Sequence, residues 1–103
     1  MKSIVDGKKY DTETSDQICK LASVSDEVSF AWHETHLYRT KRGAFFIAGR
    51  GHACSIWSRH SGPGRTSGSG VKPVSDADAR KYMEYAGCDE DDFIAVGLSV
   101  EEA

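Results

Sequence analysis

The tightest constraint in this sequence is the tripeptide Lys41-Arg42-Gly43, set inside the aromatic-rich stretch 30–51. Two ordinary residues followed by a glycine able to take positive φ form a three-residue hairpin loop with a G1 bulge. Closing that loop on Thr40 and Ala44 fixes the register: Tyr38 opposite Phe46, Leu37 opposite Ile47, His36 opposite Ala48, Glu34 opposite Arg50, Trp32 opposite His52. Side chains alternate across a strand. One face therefore collects Trp32, Glu34, His36, Tyr38, Phe46 and Ala48, and the other Ala31, His33, Leu37, Phe45 and Ile47. Both faces are mixed, which suits a ribbon at the centre of a small sheet.

The flanks supply the remaining elements. Asp6-Gly7 is a type I′ turn signal that pairs Val5 with Lys8 and Ile4 with Lys9 in a first hairpin over residues 3–10. Residues 11–16 are polar and satisfy their own backbone, so they form a turn or a strand end. Residues 17–23 are expected to be a strand, and Ser25-Asp26-Glu27 turns the chain into the central hairpin. Residues 52–60 continue as strand or one helical turn, with Ile56 and Trp57 as buried anchors. The glycine- and serine-rich stretch 61–70 is expected to be loop. Val71-Lys72-Pro73-Val74 fits a short edge strand, since proline cannot donate to a ladder.

Ser75 then caps a helix whose Ala79, Tyr82, Met83 and Ala86 share one face, with Gly87 as its stop. Residues 89–96 form a second, shorter helix burying Phe93, Ile94 and Val96, closed by Gly97. The expected fold is α+β: a small antiparallel meander of four to five strands with two C-terminal helices packed on one face. Residues 1–103 make one domain, with a frayed tail at 99–103.

Charge is unevenly spread. Residues 35–75 hold no Asp or Glu but seven cations, whereas residues 76–103 hold nine acids and two bases. That split predicts one basic and one acidic surface, or two halves that pack on each other. No apolar run reaches the roughly 18 residues that span a bilayer, and the first residues lack a hydrophobic signal core, so a cytoplasmic protein is expected. Cys19, Cys54 and Cys88 are odd in number and widely spaced, which fits reduced, half-buried thiols.

Positioned chemistry is hard to find. His33, His36, His52 and Cys54 lie near one another in the hairpin register. His33 and His36 nevertheless point to opposite faces, and the usual zinc-ligand spacings are missing, so no metal and no cofactor is assigned. The glycine-rich loop lacks the lysine and hydroxyl of a P-loop. No nucleophile elbow is present. The chain is read as non-enzymatic, with no catalytic residue. Its candidate binding residues are Arg39, Lys41, Arg42, Arg50, Arg59 and Arg65 on the basic side, and Asp89, Glu90, Asp91 and Asp92 on the acidic side. The basic set, interleaved with Tyr38, Phe45, Phe46 and Trp57, would allow segment 39–72 to track a phosphate backbone and stack bases. The acidic set suits docking on a partner's nucleic-acid groove.

The opening Ile4-Val5-Asp6-Gly7-Lys8-Lys9-Tyr10-Asp11-Thr12-Glu13-Thr14, the hairpin over residues 37–51, and Pro73-Val74-Ser75-Asp76-Ala77-Asp78-Ala79 carry a resemblance. They resemble a family of small bacterial, phage and mobile-element proteins. Its pattern is G-K-x-Y-[DN]-T-E-T, then L-Y-[RK]-[TK]-K-x-G-x-[FWY]-F, then P-[LV]-[ST]-x-x-[ED]-A. Asp78 stands where the family more often has Glu. These motifs are turns, caps and core aromatics, so the resemblance implies a fold and no reaction. Anti-CRISPR inhibitors share this size and setting. The implied function is accordingly a phage or mobile-element protein that binds and occludes a host CRISPR effector, a nucleoprotein complex. The alternative is a small nucleic-acid-binding protein using segment 39–72.

Overall fold

The computed structural model describes residues 1–21 and 32–103. Asp6 and Gly7 both take positive φ, 51° and 74°, as the type I′ turn requires. They join β1 (Lys2–Val5) to β2 (Lys8–Asp11) in the expected register. Next come β3 (Asp16–Leu21), β4 (His33–Arg39) and β5 (Phe45–Gly51). The hairpin of β4 and β5 closes as its turn dictates. Thr40 N–H donates to the Ala44 carbonyl at 2.8 Å, and Gly43, at φ 91°, donates to Thr40 at 2.9 Å. Every expected cross-strand pair from Glu34–Arg50 to Tyr38–Phe46 is present. Beyond the strands, His52 N–H reaches the Trp32 carbonyl at 2.9 Å.

Residues 61–70 depart from the expected loop: they contribute to β6 (Arg59–Ser61), β7 (Gly64–Thr66) and the start of β8 (Gly68–Val74), which continues into the edge strand expected over residues 71–74. β8 completes an antiparallel four-stranded sheet of order β3-β4-β5-β8, with β8 as one edge. Its first glycine reflects packing rather than looseness. A Cβ on Gly68 would strike the Trp57 carbonyl oxygen, and one on Gly70 would sit 3.4 Å from the Trp57 ring. Gly68 thus has no room for a side chain against the Trp57 backbone, whereas a Cβ at Gly70 would make ordinary contact with the ring.

Helix α1 (Asp76–Tyr85) starts where Ser75 Oγ accepts the Asp78 N–H at 3.1 Å, and Gly87 at φ 79° follows its C-cap. Helix α2 (Glu90–Ala95) follows. The helices cover one face of the four-stranded sheet, where Leu21, Leu37, Phe45, Ile47 and Trp57 meet Ala79, Met83, Phe93 and Leu98. The β1–β2 hairpin is a sheet of its own on the opposite face, where Tyr10 and Val5 pack against Phe46, Ala48, Tyr38 and Val71. The result is three layers, with the predicted ribbon in the middle.

Two expected core residues are exposed: Ile56 at 50% and Ile94 at 59%. Ile56 sits in a turn beside Trp57, and the two cannot both face inward; the indole has the larger apolar area and a polar partner. In α2, Phe93 faces the core, Val96 lies on the same side three residues on, and Ile94 is turned about 100° away. The expected strand end at 22–23, the turn at 25–27, and Phe30 and Ala31 lie outside the described residues. Among the described residues no helix is long and apolar enough to cross a membrane.

Thr35, fully buried, anchors the helix-side core. Its hydroxyl accepts the Trp57 Nε1–H at 2.7 Å and stands 2.9 Å from His33 Nδ1. Burial lowers the His33 pKa below the ordinary 6.5. The unfolded chain therefore binds this proton at a pH where the folded chain refuses it, so stability rises with pH across that window. The contribution is complete above about pH 6.5 and lost as pH falls toward the folded value. Urea midpoints at pH 7.5 and 5.5 check this: the drop should be larger for the unmodified chain than for His33→Gln.

Candidate interaction surface

Lys41 and Arg42 project from the β4–β5 turn, and the β1–β2 hairpin brings Lys8 and Lys9 alongside them. Together they border a cleft of about 550 Å³ whose lining includes Tyr10, Thr14, Ser15 and Thr40, and no carboxylate. Tyr10 is 8% exposed and sets its ring edge-on to Phe46, 5.6 Å between centroids. That contact clamps the hairpin on the sheet and so fixes the cleft wall. The one ion pair among the described residues is Arg50–Glu34, at 3.5 Å. None of Lys8, Lys9, Lys41 and Arg42 is paired with a carboxylate there, so their charge remains uncompensated at short range.

The other predicted cations are dispersed. Arg50 lies at the far end of β5, a seven-residue strand or roughly 20 Å away. It bonds Glu34 and stands 5.3 Å from the Trp32 ring, which itself tilts against His52 at 5.0 Å. Arg59 donates to the Ser69 carbonyl at 3.1 Å, and Arg65 is exposed on β7. Arg39 is on the helix side, lining a cavity of about 280 Å³ with Asp16 and Asp92, and its buried Nε has no hydrogen-bond partner. Of the predicted cations, Lys41 and Arg42 share the cleft, Arg50, Arg59 and Arg65 stand apart from it, and Arg39 is a partly buried outlier.

The acidic run is divided by its helix. Asp89 accepts the Asp92 N–H at 3.0 Å, and Asp92 accepts the Asp89 N–H at 3.1 Å, a reciprocal capping box. Those two carboxylates hold α2. Glu90 and Asp91 are exposed in its first turn, with no hydrogen bond or ion pair among the described residues. They lie on the helix side of the sheet, and the cleft lies on the hairpin side.

His33 faces the helix-side core, whereas His36 lies on the opposite face, ring to ring with Tyr38 at 6.4 Å. Among the described residues no three His, Cys, Asp or Glu side chains converge as metal ligands would. The three cysteines are free. Burial, then neighbouring Cys88, pushes the Cys19 thiol up to about 12. Cys88 is also raised, chiefly by burial, with Asp92 and Asp89 adding to it and its hydrogen bond with Cys19 opposing. Cys54 is exposed. A thiol-selective alkylating reagent at pH 8 should therefore modify Cys54 first, and the other two only after denaturant is added. Mass spectrometry of the intact chain checks the order.

Sequence reasoning missed Lys8, Lys9, Thr14 and Ser15 as members of a site. The Asp6-Gly7 turn announced their hairpin. Where it docks depends on Tyr10 meeting Phe46, a contact between distant segments. No family model, no curated protein and no solved structure matches this chain.

Proposed function

We propose that this chain is a non-enzymatic interaction protein of a phage or mobile element, acting in the cytoplasm by binding a host nucleoprotein complex. Its specific form, on the resemblance described above, is an anti-CRISPR inhibitor that occludes a CRISPR effector. The observation that carries the reading is the set of four cations around one cleft with no carboxylate partner. Uncompensated cations at a concave surface favour an anionic partner and speed its approach. The exposed Glu90 and Asp91, on the far side of the sheet, offer the opposite charge to a partner's basic groove.

Size-exclusion chromatography with purified CRISPR effector complexes tests the reading. A stable complex that no longer binds its target DNA is the expected result, and failure to co-migrate with any effector would count heavily against it. The alternative, direct nucleic-acid binding by segment 39–72, predicts a gel shift with free nucleic acid that weakens steeply as salt rises. The separation of Lys41 and Arg42 from Arg50, Arg59 and Arg65 requires such a strand to cross the full length of the sheet.

A further inference from the structure

We infer that the cleft between the β1–β2 hairpin and the β4–β5 turn is a seat for adjacent phosphate groups. The inference deepens the nucleoprotein reading and rests on it for its setting. Four cations, Lys8, Lys9, Lys41 and Arg42, border one concavity, and its lining contains no acid. One monovalent anion would leave most of that charge uncompensated; two or three linked phosphates match it. Arg42 contributes a planar fork suited to two phosphate oxygens, and each lysine a compact charge with three donors.

The hydroxyls point the same way. Thr40 Oγ1 already accepts the Ala44 N–H at 3.0 Å, so its hydrogen is left to donate. Thr14 and Ser15 add two further hydroxyls to the lining. About 550 Å³ falls within the ordinary size of small-ligand sites and exceeds what a single phosphate fills. Tyr10 supplies the one aromatic wall, and it is braced from behind by Phe46, so the seat has a rigid side. Contiguous phosphates of this kind come from a nucleic-acid backbone or from a free polyphosphate.

Isothermal titration of the full chain with inorganic tripolyphosphate tests the inference, with sodium sulfate holding ionic strength constant. One saturable site is expected. Lys8→Gln, on the sheet-facing side of its hairpin with Val5 and Tyr10, and Lys41→Gln should each weaken it by about tenfold, the usual effect of losing a charged hydrogen bond. Lys81→Gln, which removes an exposed charge on α1, should leave it unchanged. Displacement by a single-stranded DNA oligonucleotide assigns the phosphates to a nucleic-acid backbone; tripolyphosphate binding without displacement assigns them to a free polyphosphate. Absence of saturable binding, or equal weakening by Lys81→Gln, overturns the seat. If instead the nucleoprotein reading fails, tripolyphosphate still binds while no effector is captured. If only the seat fails, effector capture survives without saturable tripolyphosphate binding.

Discussion

Replacing Trp57 by alanine should lower the stability of this chain by about 3–5 kcal/mol, the usual cost of deleting a buried tryptophan. For a domain of this size that is on the order of 15–30 °C in melting temperature, and a large share of the total stability of a typical domain. Trp57 is 4% exposed, covers Gly70, bonds Thr35 at 2.7 Å and carries Lys72 5.4 Å from its ring. It links the turn after β5 to β4 and β8. Truncation leaves a cavity beside Gly70, which has no side chain to move into it. Trp57→Phe separates the two contributions: most of the packing stays, the donor to Thr35 goes, and the loss should be nearer 1 kcal/mol. Urea denaturation of both variants checks the difference.

Phe46→Ala should cost a similar amount, about 3–5 kcal/mol, with a different local consequence. Phe46 is fully buried between layers, stacked on Tyr38 at 5.1 Å with 10° between planes, and met edge-on by Tyr10. It is the principal apolar contact holding the β1–β2 hairpin to the central sheet. A two-stranded hairpin alone is marginal in water. Losing the contact should release residues 1–15 to limited proteolysis before the rest of the chain unfolds. It should also weaken ligand binding at the cleft, because Lys8 and Lys9 ride on that hairpin. Phe46→Leu, which keeps much of the volume, should retain more of both properties.

The parts legible in the sequence were those fixed by short-range geometry. Lys41-Arg42-Gly43 dictated the central register, Asp6-Gly7 the first hairpin, and Ser75 and Gly87 the limits of α1, because each depends on a few consecutive residues. Docking was hidden. Nothing local to Tyr10 says that its hairpin forms a separate layer over Phe46, so the cleft that joins Lys8 and Lys9 to Lys41 and Arg42 could not be assembled from one segment. Residues 71–74 were legible as an edge strand from Pro73, but the extension of that strand back to Gly68 was hidden for a related reason. Its glycines resemble loop punctuation, yet Gly68 leaves no room for a side chain against the Trp57 carbonyl. Ile94 and Ile56 show the limit of hydrophobicity alone, since apolar neighbours on a short helix or turn point in different directions. Of the predicted charged residues, Asp89 and Asp92 turned out to cap α2, a role their spacing of three had already allowed.

Under the proposed function, the partner docks on the unpaired cations of the hairpin side. Amide-resolved hydrogen exchange, on the chain alone and then bound to a captured effector complex, tests it most directly. New protection is predicted at residues 7–15 and 40–44, with α2 unchanged. Protection confined to residues 89–96, with the cleft exchanging as in the unbound chain, would contradict it.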